Sequence, residues 1–260
     1  MNVVMLLCAM LADLQRSPSL PDEGLRDLAA RHGTDKLQHG FIDVYEPHFA
    51  PRKSSIHTLV EMGVLFGSSI KMWRDWLPQS KIIGIDNFSG IMGAWRRNGR
   101  GRPIPNHTKF LMEANAGLHG DRVVVMDRDL SSKPGLQRVV ADLQAYAPLD
   151  VIIDDASHSN HDQLTGLASM LPLLRPGGLY VIEDIHTSLE NGYDLPPGSP
   201  ETALQVLQRF NRTSTFQSRF VTEQEARYIV SRVETTEIFC PHKRKLDRTS
   251  ILTTKGRVRE

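Results

Sequence analysis

Two pairs of acidic residues stand where acids are costly. Asp154-Asp155 closes the apolar run "LDVII", Glu183-Asp184 closes "LYVI", and His158 follows Asp155 by three residues. A carboxylate carried to the end of a buried strand needs a counter-charge, a proton or hydrogen-bond donors. If the two runs are neighbouring parallel strands, their ends share one rim, the rim where ligands bind in such sheets. Like charges that close call for a bound cation or a proton. Hard oxygen donors with no cysteine nearby suit Mg²⁺, or else Mn²⁺ or Ca²⁺. His158, on the turn leaving the strand, can take a proton from a hydroxyl presented there, although a single histidine is often only structural.

A second group precedes these acids. "LVEMGVLFGSS" brings Glu61, Gly63, Gly67 and Ser68 to a turn between a strand and a helix. Glycine allows backbone to approach a ligand closely, and a helix N-terminus favours polar or anionic groups. The spacing is G-x-x-x-G rather than G-x-G-x-x-G, which disfavours a nicotinamide dehydrogenase. Asp86 ends the next apolar run, "KIIGID", where a carboxylate can accept hydrogen bonds from ribose hydroxyls.

The elements that must hold these residues alternate regularly. Short β-branched runs at "IHTLVEMG", "KIIGIDNF", "DRVVVMDRD", "LDVIIDD" and "LYVIED" are separated by helical patterns at "GSSIKMWRDWL", "GLQRVVADLQAY" and "HDQLTGLASMLPLL". That alternation predicts a doubly wound α/β sheet of mostly parallel strands, with "RPGG" as a turn before the fifth strand. Two more helices follow, near "TALQVLQRFNR" and "TEQEARYIVSR". "TTEIFC" and "TSILTTK" then complete seven strands as an antiparallel pair at the sheet edge. Residues 1–32 read as an N-terminal helical segment and 33–260 as the main domain. The apolar stretch at the N-terminus is too short to span a bilayer and lacks the features of a signal peptide, so a docked helix is expected there.

With 260 residues, 40% hydrophobic, and a formal net charge of +1, the chain has no general electrostatic drive toward nucleic acid or anionic membrane. Cys8 and Cys240 form neither a disulfide framework nor a metal motif, and a reducing cytoplasm is the expected compartment. Arg96 to Arg102, in a Gly- and Pro-rich loop, is the one basic cluster. It reads as a solvated loop or as a grip on an anionic acceptor.

Glu61, the Gly63/Gly67 turn and Asp86 together resemble the nucleoside site of class I S-adenosylmethionine-dependent methyltransferases. "GTDK…HGF…YE", "LVEMGVLFGSS", "DDASH" and "YVIEDIHTS" are similar to the metal-dependent sugar O-methyltransferases of antibiotic and glycolipid biosynthesis, and to the cephalosporin-hydroxylase-like family. The likeness runs from about Gly33 to Ser188. It implies the Rossmann-like class I fold, with Glu61, Gly63, Gly67, Ser68, Asp86 and Asp127 lining an S-adenosylmethionine site and Asp154 near its methionine part. It further implies Asp155, Glu183 and Asp184 as ligands of Mg²⁺ (or Mn²⁺) and His158 as general base.

The acceptor would be a glycoside or saccharide, methylated on a hydroxyl. Lys36, His39 and Tyr45 would shape its pocket with His186, and "HTSLENGYDLPPGS" would close over it as a lid. A homo-oligomer, with no nucleic acid and no stable membrane insertion, completes the expectation. Catechol or phenol O-methylation, aminosugar N-methylation, and a non-catalytic nucleotide-binding module are the alternatives. The costly acidic quartet with His158 argues against the last.

Overall fold

β-Branched and aliphatic runs form seven strands of one sheet, placed in the order β3-β2-β1-β4-β5-β7-β6. They are β1 (Thr58–Met62), β2 (Lys81–Asp86), β3 (Val123–Asp127), β4 (Leu149–Asp154), β5 (Leu174–Ile182), β6 (Val233–Phe239) and β7 (Thr249–Thr254). The first five are parallel, and β7 lies antiparallel to both β5 and β6. This is the fold class expected, with one refinement: the antiparallel strand is next to last, and β6 forms the edge. The structure is a computed structural model and describes residues 23–88, 122–240 and 249–256. The Arg96–Arg102 cluster, Cys8 and the N-terminal apolar stretch lie outside the described residues.

Helices cover both faces, because each strand alternates its side chains between two apolar layers. On one face α1 (Leu25–His32), α2 (Phe41–Phe49) and α3 (Ser68–Trp76) pack Leu28, Phe49 and Trp73 against Leu59, Ile153 and Val181. On the other, α4 (Lys133–Leu143), α5 (Asn160–Met170), α6 (Ala203–Thr213) and α7 (Glu223–Arg232) pack Val139, Leu167 and Leu207 against Val60, Ile152 and Tyr180. Three of the helix starts carry side-chain caps. Ser132 and Ser159 accept from Gly135 N and Asp162 N, and Thr222 with Glu225 makes a full capping box. Leu25, Leu28 and Ala29 of α1 are buried in the same layer as α2 and α3.

Two readings change. "RPGG" is not a turn: it belongs to β5, whose pairing with β4 shifts register between Leu149 and Val151. A glycine-bearing strand can bend this way without leaving the sheet. Asp150, read only as part of an apolar run, fastens the other end of the sheet. Its Oδ2 accepts from His57 N at 2.7 Å and Thr58 N at 2.8 Å, and its Oδ1 accepts from Arg175. No described helix is long and apolar enough to cross a membrane.

Candidate active site

Register decides which acids meet. Met62 pairs with Asp154 and Asp154 with Ile182; just beyond, Asp155 N donates to Met62 O and Glu183 N to Asp154 O, both at 2.9 Å. Glu61 pairs with Ile153, and Ile153 with Val181. Counting by twos, Glu61, Asp155 and Glu183 point to the face covered by α1–α3, whereas Asp154 points to the opposite face.

On the first face the acids meet a buried lysine. Lys36, on a 3₁₀ turn between α1 and α2, sets Nζ 3.0 Å from Glu61 Oε1, 2.5 Å from Asp155 Oδ2 and 2.8 Å from Glu183 Oε1. Tyr45 of α2 donates its hydroxyl to the same Glu183 oxygen, and Ser69 donates to Glu61 Oε2 at 2.8 Å. Burial alone would lower the lysine's pKa, but the charges of Asp155, Glu183 and Glu61 outweigh it and hold the ammonium well above the ordinary lysine value. Burial raises the Glu183 carboxyl, and the Asp155 charge adds to this while Lys36 opposes it. Lys36 and Tyr45 were expected to line an acceptor pocket; at 1% and 0% exposure they lie beneath the rim instead. The same contacts turn Glu183, expected as a metal ligand, toward Lys36 and Tyr45.

On the open side, Asp155, His158 and Asp184 bring one donor atom each within 4.8 Å of one another. His158 Nε2 and His186 Nδ1 each lie 3.6 Å from Asp184, and the His39 charge also acts on that carboxylate. Burial raises the Asp184 pKa, against the pull of His158. His158 and Asp184 both hold left-handed backbone, at φ 56° and φ 52°, which non-glycine residues keep only where the surroundings over-determine it. Thr187 supports the first of these turns by donating to His158 O at 2.9 Å. Asp184 Oδ1 and His158 Nδ1 are buried and, among the described residues, make no hydrogen bond. A buried carboxylate oxygen without a donor, beside a second carboxylate and an imidazole, fits a hard divalent cation.

The glycine turn forms the neighbouring part of the rim. Gly63 holds φ 91°, and a Cβ there would stand 2.1 Å from Asp155 O, so only glycine lets the two loops cross. Asp86 braces the turn: Oδ2 accepts from Val64 N at 2.8 Å and Leu65 N at 3.2 Å, and Oδ1 from Phe88 N at 2.8 Å. Gly67, at φ 72°, starts α3, and Ser68 is its first residue. Asp127 lies farther along the rim in a cleft of ≈ 630 Å³ with Asn87, Ser132 and Arg138. Glu61 is fully buried under the turn.

Asp154 does not join this rim. Its carboxylate sits under α5, where a Cβ on Gly166 would meet Asp154 Oδ2 at 3.2 Å and the Tyr180 hydroxyl at 3.4 Å. Burial there pushes its pKa up to about 7. Strand alternation is the reason: if Asp155 faces the site, its predecessor cannot. The expected lid after β5 is also pinned. Asp194 accepts from Asn160 N, Asn160 Nδ2 and His161 N, while Asn160 Oδ1 accepts from Ser188 Oγ and Ala203 N. These bonds tie residues 188–203 to the start of α5 as a fixed wall.

Residues 60–185 match the family model described as a methyltransferase domain. The 3'-O-methyltransferase of 8-demethyl-8-(2-methoxy-alpha-L-rhamnosyl)-tetracenomycin C from Streptomyces olivaceus is 34% identical over 175 residues, 64% of this chain and 38% of that protein. Mycinamicin VI 2''-O-methyltransferase from Micromonospora griseorubida is 30% identical over 178 residues, 65% of this chain and 38% of that protein. The chain therefore spans about four-tenths of the length of the curated relatives it matches. The solved structure of MycE methyltransferase with Mg, SAH and mycinamycin VI superposes with a TM-score of 0.66 at 21% identity, covering 98% of this chain and 64% of that one. That likeness is one of fold.

Proposed function

From a chain that carries a methyltransferase domain over residues 60–185, we propose a metal-dependent O-methyltransferase that moves a methyl group from S-adenosylmethionine to a sugar hydroxyl. The acceptor is a glycosylated natural product, a glycolipid or a polysaccharide precursor. The observation that carries this reading is the trio Asp155, His158 and Asp184, whose donor atoms lie within 4.8 Å of one another beside the Gly63–Gly67 turn. The relatives support the acceptor class, since their names place the methyl group on sugar hydroxyls.

Each residue has a task that its position allows. The Gly63–Gly67 turn and the start of α3 cradle the cofactor, and Asp86, which keeps lone pairs beyond its three backbone donors, accepts from the ribose diol. Asp127 marks the adenine end of the rim. Asp155 and Asp184 would hold Mg²⁺, whose charge would lower the pKa of an acceptor hydroxyl. His158 takes the proton of that hydroxyl, and Asp184, 3.6 Å from its Nε2, stabilises the imidazolium that results. His39 and His186 flank Asp184 on the acceptor side. The remaining demand is alignment of acceptor oxygen and methyl carbon, which the pinned wall after β5 serves by fixing one side of the pocket.

The test separates base from ligand. His158→Ala should lower turnover about 10²–10⁴-fold while Mn²⁺ affinity, read by electron paramagnetic resonance, stays near wild type. Asp184→Asn should lose both. Loss of Mn²⁺ binding in His158→Ala would make the imidazole a metal ligand, and full activity of either variant in EDTA would sink the reading.

A further inference from the structure

The strand ends offer two cation sites, and one of them is filled by the chain itself. Besides the open trio, Glu61, Asp155 and Glu183 bring ligand atoms within 4.8 Å of one another. Lys36 Nζ stands among them at 3.0, 2.5 and 2.8 Å. An ammonium has three donors and no acceptor; here it donates to Asp155 and Glu183 and stands beside Glu61 Oε1 as an ion pair. Lys36 is 1% exposed, Glu61 0% and Glu183 1%, so water reaches the group only through Asp155, whose side chain is 23% exposed. Tyr45, stacked on Phe49 at 5.1 Å and tilted against Trp73 at 5.6 Å, fixes the Glu183 side of the cage from α2. Asp155 belongs to both groups and joins the cage to the open site.

We propose that Lys36 is a positioning residue: its ammonium acts as a resident cation that aims Asp155 toward the open trio and keeps a second divalent ion out of the Glu61–Asp155–Glu183 cage. The inference deepens the metal reading given above and rests on it for the role of Asp155. The buried Glu61 and Glu183 and the part-buried Asp155 cannot all remain charged and unpaired, so removing the ammonium leaves a cage whose charge another cation or protons must meet. The open trio keeps its own ion in either case.

The experiment counts Mn²⁺ bound per chain, after equilibrium dialysis, in wild type and Lys36→Ala. A gain of one ion in Lys36→Ala over wild type supports the proposal; an unchanged count overturns it. Wild type binding no Mn²⁺ would defeat the metal reading of the open trio, while the difference between the two proteins would still decide the cage. Should Lys36→Ala fail to fold, the wild type decides through the ¹⁵N resonance of its lysine ammonium groups at neutral pH. A buried Lys36 ammonium signal that persists at saturating Mg²⁺, even if shifted through the shared Asp155, supports a separate cage. Its disappearance on adding Mg²⁺ shows that the ion replaces the ammonium among the same carboxylates and overturns the proposal.

Discussion

His158 and Asp154 stand four residues apart and face different demands. His158 is about a quarter exposed, on a left-handed turn next to Asp184, where the proposed reading gives it the acceptor's proton. Asp154 is buried under α5, with its carboxyl pushed up to about 7. In the metal-free protein that shift has a definite sign. Between about pH 4 and 7 the folded chain keeps a proton that the unfolded chain has released, so stability falls as pH rises through this window. Asp154→Asn removes the cost. Its Tm should exceed that of wild type at pH 8 in EDTA, and the gap should close toward pH 4. Equal pH profiles for the two proteins would show that Asp154 is not held neutral. The acid–imidazole cluster was legible in the sequence because charge at the end of an apolar run is physically unusual. The place of Lys36 was not: it lies 119 residues from Asp155, on a segment with no periodicity, and only the fold brings them together.

At the scale of elements, the crossing of two loops sets the site. Gly63→Ala would force a Cβ to within 2.1 Å of Asp155 O at φ 91°, and should destabilise the fold by about 3 kcal/mol or more. Chemical denaturation measures this directly; a loss under about 1 kcal/mol would mean that the loops separate easily. The wall after β5 gives a second prediction. Asn160 is fully buried and bonds to Asp194, Ser188 and Ala203. Asn160→Ala should cost about 2–3 kcal/mol and raise KM for the acceptor more than KM for the cofactor. Equal effects on both constants would argue against a wall on the acceptor side. The alternating strands and helices were readable from hydrophobic period alone. The wall was not, because its bonds run between a helix start and a loop without pattern, and a polar loop reads the same whether pinned or loose. The parity of Asp154 and Asp155 was readable: two adjacent strand residues cannot both face one site.

For the whole molecule, the sheet order β3-β2-β1-β4-β5-β7-β6 puts the glycine turn, the acidic strand ends and His158 on one rim, between helical layers that fix them from both faces. Cofactor and acceptor would therefore meet above β1 and β4, with the ion on the β4–β5 side. The central claim is that this rim joins a methyl donor, a divalent cation and a sugar hydroxyl in one reaction. Mass spectrometry of a panel of glycosides, incubated with the chain and S-adenosylmethionine, tests it most directly, with paired samples in Mg²⁺ and in EDTA and a matched panel of catechols. The account predicts a glycoside gaining the mass of one methylene in Mg²⁺ and none in EDTA. Methylation that persists undiminished in EDTA, or that is confined to the catechols, would contradict it.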